Sequence, residues 1–167
     1  MEARSKYNVA ADNTKRTYDG IVFDSEAEMN FYKDYCIPKI KSGEIKTCKM
    51  QVKYVLQDGF IRNGKKILPI DYKADFVLEY ANNTIQVIDI KGCPDTTALL
   101  KRKMFWYRYP EIDYLWLSYS KIDGGWIEYD TLKKNRNIRK KLKLEQQGNK
   151  EKKEKQKNEK RKNSDSQ

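Results

Sequence analysis

Two aspartates and a lysine on consecutive predicted strands are the residues of this chain best suited to chemistry. Asp89 and Lys91 are two residues apart in an apolar segment, so their side chains lie on the same face of the predicted strand. Asp75 lies 14 residues before Asp89, in the preceding strand. Buried carboxylate and ammonium groups are costly unless they are paired or bind a metal. The arrangement therefore predicts a divalent-metal site that hydrolyses phosphodiester bonds.

Two further polar side chains extend this set. Ser25 and Glu28 have the spacing of a capping box, which places Glu28 in the first turn of a helix upstream of the strands. Glu28 is then a third carboxylate for the metal, with Glu26 as the alternative on the same turn. Gln51 lies on the polar face of an earlier strand and is a candidate for orienting water or phosphate. Purely structural roles remain open, as a helix cap for Glu28 and as a solvated strand residue for Gln51.

The absence of histidine narrows the chemistry. The chain has no histidine and three cysteines, Cys36, Cys48 and Cys93. A Ser-His-Asp triad, a Cys-His pair and a histidine-ligated metal are excluded, and a four-cysteine zinc site would need one more thiolate. Acid–base work is left to carboxylates, Lys, Tyr or metal-bound water. Because the available ligands are oxygens, we expect Mg²⁺ or Mn²⁺ as the cofactor.

The positive charge is concentrated at the C-terminal end. Residues 133–167 hold 15 Lys/Arg and 5 Asp/Glu and so carry +10 of the net +11. Residues 145–167 contain no aliphatic or aromatic side chain, which predicts a disordered or loosely helical tail. Basic tails attract polyanions, usually nucleic acids, although a solubilising tail is the alternative. We expect a flexible N-terminal arm at residues 1–17 and the folded domain at residues 18–132.

Hydrophobic periodicity gives the order helix, three antiparallel strands, helix and strand. The predicted strands are residues 50–60, 70–80, 84–91, 114–119 and 126–129, and the second helix covers residues 95–109. A right-handed crossover through that helix makes the following strand parallel to the central one. The predicted fold is therefore α/β, with helices on both faces of a mixed sheet.

The turn between the second and third strands decides whether the two aspartates meet. A two-residue loop would put Asp75 opposite Ile90 and leave Asp89 on the other face of the sheet. A three-residue loop of residues 81–83 sets Asp75 directly opposite Asp89. Two of those residues are Asn, which adopts the left-handed conformation that such loops need. The site therefore predicts an odd-numbered loop or a bulge at this turn.

The order of these motifs resembles that of the PD-(D/E)xK nuclease superfamily. The matching segments are Phe23-Asp24-Ser25-x-x-Glu28, Gln51, Ala74-Asp75-Phe76 and Asp89-x-Lys91-Gly92, all within residues 18–119. The chain is similar to a family of small phage-encoded proteins labelled as endonucleases and, in motif order, to phage endonuclease I-type Holliday-junction resolvases. In one departure, Pro69 is followed by Ile70 and Asp71, so the proline-aspartate pair is not literal and Asp71 stays an alternative ligand.

The resemblance implies a restriction-endonuclease-like αβββαβ core and a Mg²⁺-dependent DNA endonuclease. Branched DNA such as a Holliday junction, in phage recombination or replication, is the implied substrate. By motif match, Asp75 and Asp89 bind the metal, Glu28 completes the metal site, and Lys91 positions or activates the attacking water. A non-catalytic nucleic-acid-binding protein on the same fold and a ribonuclease are the alternatives.

The expected partner is nucleic acid, with DNA favoured and a homodimer left open. No apolar run approaches the roughly 20 residues that a membrane span needs, so no membrane partner is expected. The N-terminus lacks an apolar signal segment and the cysteines show no close pairing. These features predict a cytoplasmic protein, in the host cytoplasm if it is phage-encoded.

Overall fold

A five-stranded mixed β-sheet forms the centre of the protein in the computed structural model, which describes residues 13–164. The strands are β1 (Thr17–Tyr18), β2 (Ile21–Val22), β3 (Ile45–Gln57), β4 (Phe60–Arg62), β5 (Lys65–Ile67), β6 (Ile70–Tyr80), β7 (Ile85–Ile90), β8 (Asp113–Ser120) and β9 (Gly125–Glu128). The α-helices are α1 (Glu26–Phe31), α2 (Ile37–Lys41), α3 (Thr96–Arg108) and α4 (Tyr129–Ser164). The central sheet has the order β3-β6-β7-β8-β9, and the hairpins β1–β2 and β4–β5 form separate two-stranded sheets.

The strand directions confirm the predicted α/β class with a mixed sheet. β6 is antiparallel to both of its neighbours, β3 and β7, whereas β7 and β8 run parallel. α3 connects those two parallel strands, as a crossover connection requires. The Asp95 side chain caps α3 by accepting a hydrogen bond of 2.7 Å from the Ala98 N–H. The predicted order of helix, three strands, helix and strand is therefore present, with β3 and β9 as the edge strands of the central sheet.

The first helical region joins α1 to α2 through a π-helical segment, Tyr32–Cys36. The Ser25 hydroxyl accepts a hydrogen bond of 3.1 Å from the Glu28 N–H, which confirms the predicted start of the helix. In the π segment one hydrogen bond spans five residues, from the Ile37 N–H to the Tyr32 carbonyl. Glu28 is thus held on the first turn of a helix that packs across the sheet.

The loop between β6 and β7 has the length that the predicted site requires. The Tyr80 N–H donates to the Thr84 carbonyl at 2.9 Å across a three-residue loop, in which Asn83 has a left-handed φ of 66°. Pairing of the two strands then runs back to Phe76 opposite Ile88. The predicted three-residue loop is therefore confirmed, and Asp75 and Asp89 each lie one residue beyond the last pair of the two strands.

The central sheet divides at the same point. β6 continues to pair with β3, and β7 continues to pair with β8, but pairing between β6 and β7 stops at Phe76 and Ile88. We call this divergence the fork. Asp75 and Asp89 are the first residues inside the fork on their respective strands. The pairing between β6 and β7 therefore does not include Asp75 and Asp89, although each strand still pairs with its other neighbour at this point.

The core consists of two hydrophobic clusters, one under α1 and the π segment and one under α3. The first contains Phe23, Phe31, Cys36, Ile45, Phe76, Leu78 and Ile88, and the second contains Leu56, Tyr72, Ala74, Val87, Phe105, Tyr114 and Trp116. Alternate residues of β6 from Tyr72 to Leu78 are buried, but they do not all pack in the same cluster. Tyr72 and Ala74 pack in the second cluster, whereas Phe76 and Leu78 pack in the first, so the strand changes sides at Asp75.

α4 leaves the body of the protein as a single helix after β9. It is anchored by the buried Leu132 and by Arg139, whose guanidinium donates two hydrogen bonds to Asp123 at 2.8 and 3.0 Å. Of the disordered and helical states predicted for the basic tail, the structure has the helical one as far as Ser164. The predicted N-terminal arm lies outside the described residues up to residue 12. Within residues 13–164, no helix combines the length and the apolar character needed to cross a membrane.

Candidate active site

A cavity of about 90 Å³ lies where the first turn of α1 approaches the fork. Its lining residues are Ile21, Val22, Phe23, Asp24, Glu28, Met50, Gln51, Asp75 and Phe76. The β1–β2 hairpin thus supplies one wall, α1 another, and the strands β3 and β6 the floor. Three residues of the predicted site, Glu28, Gln51 and Asp75, come together here from three different elements.

Glu28 is the helix carboxylate that the structure places at the cavity. Its side chain is only 7% exposed, and its Oε1 accepts a hydrogen bond of 2.7 Å from the Ser25 hydroxyl. Burial raises the pKa of Glu28 above its ordinary value, against the lowering effect of Ser25, and the nearby charges of Asp24 and Asp89 raise it further. The rival acid Glu26 is exposed and lines a different cavity of about 570 Å³ beside Tyr119 and Trp126.

Asp75 bridges the two arms of the fork with its side chain. Its Oδ2 accepts a hydrogen bond of 2.7 Å from the backbone N–H of Ile90 on β7. Burial, together with the negative charges of Asp89 and Glu28, raises the pKa of Asp75 to about 9. A carboxyl group that is this unfavourable in its ionised form is relieved by a proton or by a cation.

Asp89 and Lys91 form an ion pair at the end of β7. The Asp89 side chain is 1% exposed and its Oδ2 contacts the Lys91 Nζ, which also lies 5.7 Å from the centre of the Trp116 ring. Burial by itself would lower the pKa of Lys91, but Asp89, Asp75 and Glu28 together hold the pKa above its ordinary value. Lys91 is therefore a charged group that shares its electrostatic environment with all three predicted carboxylates.

Gln51 has a backbone conformation that is unusual for its residue type. Its φ of 57° lies in the left-handed region, at the position of β3 that faces Asp75 on β6. Within the described part of the chain, its buried side-chain oxygen Oε1 has no hydrogen-bond partner. A buried, unpaired carbonyl oxygen next to a carboxyl group is a vacant acceptor, and it is a suitable ligand for a hydrated cation or a water.

The donor set of this site fits a hard divalent cation. Carboxylate and amide oxygens are the ligands that Mg²⁺ prefers, and the unpaired Gln51 oxygen together with the raised pKa of Asp75 indicates an unmet requirement for positive charge. Among residues 13–164, no three acidic or cysteine side chains are already assembled around one point. Asp75, Asp89 and Glu28 are the residues that would hold the ion.

Asp71, the alternative ligand, lies away from the cavity. Its Oδ2 forms an ion pair of 2.6 Å with the Lys53 Nζ, and its backbone carbonyl accepts a hydrogen bond of 2.7 Å from the Lys101 Nζ. Of the predicted site aspartates, Asp71 is therefore the one that does not lie at or next to the fork. Asp71 can serve as a matched control for Asp75 and Asp89.

Arg102 of α3, which no sequence motif singles out, is buried behind the site. It is 5% exposed, and its guanidinium lies 4.4 Å from the ring centres of both Trp106 and Trp116. It also forms an ion pair of 2.8 Å with Asp130 at the start of α4. The four-residue spacing between Arg102 and Trp106 on one helix was the available signal. The positive charge of Arg102 lies behind Trp116, the strand neighbour of Asp89.

Fold and site together define a small mixed α/β protein with an acidic cavity at the fork of its sheet. The chain belongs to the family described as Protein of unknown function (DUF1064), whose family model matches residues 4–123. That range includes the fork, the cavity and all strands up to β8, whereas β9 and α4 lie beyond it. No curated protein matches the chain. No solved structure matches it either.

Proposed function

We propose that this protein is a metal-dependent endonuclease of the PD-(D/E)xK type that hydrolyses phosphodiester bonds, with DNA as its substrate. The observation that carries the proposal is that the Asp75 side chain reaches β7 inside the fork, where it accepts a hydrogen bond from the Ile90 N–H, while Glu28 and the unpaired Gln51 oxygen line the same cavity. A binding module that only contacts phosphates has no use for three carboxylates near enough to raise one another's pKa, because they repel the phosphate charge. The same cluster is expected if a cation lies between protein and substrate.

Each residue has a defined part in this reaction. Asp75, Asp89 and Glu28 would hold Mg²⁺ or Mn²⁺, which when bound activates water and neutralises charge on the phosphate. Lys91, held by its ion pair with Asp89, would orient the attacking water and stabilise negative charge that develops on the phosphate oxygens. Gln51 provides a hydrogen-bond acceptor for a water at the cavity.

Cleavage assays with the full chain test this proposal. We expect cleavage of DNA with Mg²⁺ or Mn²⁺ and none in EDTA, because in this mechanism the metal supplies both the activated water and the neutralisation of charge on the phosphate. The substrates should include four-way junction, flap, duplex and single-stranded DNA, with matched RNA strands to separate DNA from RNA hydrolysis. Full activity in EDTA would contradict the proposal, and so would the absence of cleavage of every substrate with both metals.

The basic helix α4 is expected to contribute affinity rather than catalysis. Deleting residues 145–167 removes 8 Lys/Arg and 5 Asp/Glu but keeps Arg139 and the ion pair that anchors the helix. The truncated protein should fold and cleave at low salt. Its affinity for DNA should fall, and the dependence of affinity on salt should weaken by about 0.9 in log–log slope for each phosphate that the protein no longer neutralises.

Binding titrations at several salt concentrations measure this effect. Equal affinity and an equal salt slope in the truncated protein would show that the tail does not contact nucleic acid. A loss of preference between substrates at unchanged affinity would mean that the tail distinguishes substrate shapes. Contacts to phosphates alone do not make that distinction.

A further inference from the structure

The hairpin β4–β5 is an exposed structured part of the chain that the proposed reaction does not use. Every residue of its two strands is exposed. Four apolar side chains are at its base and sides: Phe60, Ile61, Ile67 and Leu68, of which Ile61 is 76% and Leu68 69% exposed. Its tip carries Arg62, Lys65 and Lys66, and residues 59–70 contain no acid. A surface that is both apolar and cationic requires a partner of matching chemistry.

The base of the hairpin is held in place even though its strands are exposed. A Cβ at Gly59 would meet the Ile67 carbonyl oxygen at 3.0 Å and Pro69 at 3.3 Å, so the two ends of the hairpin cross at close range. Next to this crossing, Asp58 forms an ion pair of 2.9 Å with Arg108 of α3. The hairpin therefore extends in a defined direction from the sheet.

Cross-strand pairing divides the hairpin into two faces. Phe60 pairs with Ile67, and Ile61 pairs with Lys66. Because side chains alternate along a strand, Leu68 shares the face of Ile61 and Lys66. This face therefore presents two aliphatic side chains beside a lysine, and we call it the aliphatic face.

The hairpin leaves the same end of the sheet as the catalytic lysine. β6 begins at Ile70, directly after the hairpin, and runs antiparallel to β7, which ends next to Lys91. Five residues of strand separate Ile70 from Asp75, a distance of about 17 Å at 3.3 Å per residue. That distance corresponds to about five base pairs of a duplex. A nucleic acid bound at the fork can thus reach the hairpin.

We propose that the hairpin β4–β5 binds nucleic acid, with Lys65 and Lys66 contacting phosphates and the aliphatic face packing against bases. A two-stranded ribbon fits the major groove, and inserted aliphatic side chains are known to separate stacked bases. The absence of acids on the hairpin favours a polyanion over a second copy of this chain, whose hairpin carries the same charge. The proposal rests on the nucleic-acid substrate proposed above, not on its metal chemistry.

Binding in EDTA separates the hairpin from catalysis. The probe is a labelled DNA duplex with one unpaired 2-aminopurine, whose fluorescence reports unstacking, and anisotropy measures affinity. We expect the double variant Lys65→Gln/Lys66→Gln to bind about tenfold more weakly with a shallower salt slope, by about 1.8 for two phosphates. The control Lys41→Gln/Lys49→Gln removes the same charge from exposed positions elsewhere and should bind like the wild type.

The aliphatic face is tested with Ile61→Ser/Leu68→Ser, with Ile122→Ser as a control because Ile122 is 82% exposed outside the hairpin. The hairpin variant should lose most of the 2-aminopurine signal at saturation, and the control should keep it. Equal affinity and equal signal in all variants would overturn the proposal. A loss of self-association without a change in DNA binding would also overturn it, since the hairpin would then join two copies.

Cleavage assays on the same proteins distinguish the two proposals. If the wild type cleaves with Mg²⁺ and the hairpin variants bind unchanged, the hairpin proposal fails and the endonuclease stands. If binding depends on the hairpin and no metal supports cleavage, the hairpin proposal stands and the endonuclease fails. Thermal unfolding of every variant confirms that the fold is retained, as expected for substitutions at exposed positions.

Discussion

Asp89→Asn is expected to abolish cleavage and to leave nucleic-acid binding in EDTA intact or improved. Asp89 is almost fully buried and paired with Lys91, so its side chain is held in a fixed position next to the fork. The isosteric amide removes the carboxylate charge and, with it, several kcal/mol of transition-state stabilisation by the metal, a loss of about a thousandfold or more in rate. Binding is expected to persist because one negative charge facing the phosphates is removed.

Single-turnover cleavage and metal-free binding measure the two effects separately. Asp71→Asn is the matched control, because Asp71 is also a strand aspartate but is paired with Lys53 outside the cavity. A second matched pair lies on the first turn of α1, where Glu28→Gln should slow cleavage and Glu26→Gln should not. Normal cleavage by Asp89→Asn would remove Asp89 from the metal site, and equal losses at Asp71 would point to a general effect on folding.

Asp75→Asn is expected to stabilise the metal-free protein above neutral pH. Burial and the charges of Asp89 and Glu28 raise the pKa of Asp75 from 3.8 to about 9, so the folded state retains a proton that the unfolded chain loses. The folded state is then favoured by protonation below about pH 4, and this stabilisation is lost as the pH rises towards 9. The amide cannot ionise, so the variant should gain at least about 2 kcal/mol over the wild type at pH 9.

Urea unfolding in EDTA between pH 5 and 9 measures this effect. The stability of the wild type should decline across that window, and the stability of Asp75→Asn should decline less. Adding Mg²⁺ at pH 8 should stabilise the wild type, because a ligand that binds only the folded state raises the free energy of unfolding, and it should stabilise the variant less. If the free energy of unfolding changed with pH in the same way for both proteins, ionisation of Asp75 would not destabilise the folded state.

The sequence was sufficient to predict the meeting of the two aspartates, because that meeting depends on local chemistry. The alternation of β6, the apolar run of β7 and the two asparagines of the turn together favour the three-residue loop, which places Asp75 and Asp89 one residue beyond the last pair of their strands. The capping box likewise fixes Glu28 through contacts within one helical turn. Features that depend on contacts between residues close in the sequence could therefore be predicted.

Other features depend on contacts between distant segments and could not be predicted in the same way. Arg102 is buried because Trp116 of β8 and Asp130 of α4 surround it, and neither neighbour is close in sequence. The change of sides in β6 arises where its pairing with β7 ends, and strand alternation carries no information about that point. The left-handed Gln51 is similar, since residue type argues against the conformation and only the fold imposes it.

The π segment Tyr32–Cys36 is a place in the first helical region where the chain can lose a residue without reorienting Glu28. Because five residues rather than four close its turn, Phe31 and Cys36 both pack in the first cluster. Deleting one residue there would restore an α-helical turn, and because residues four apart also share one face of an α-helix, the residues that follow would keep their register. Glu28 lies before the segment and is held by Ser25, so its orientation is independent of such a deletion. A one-residue deletion in the π segment should thus leave the helix on both sides of it, and the carboxylate at the cavity, in place.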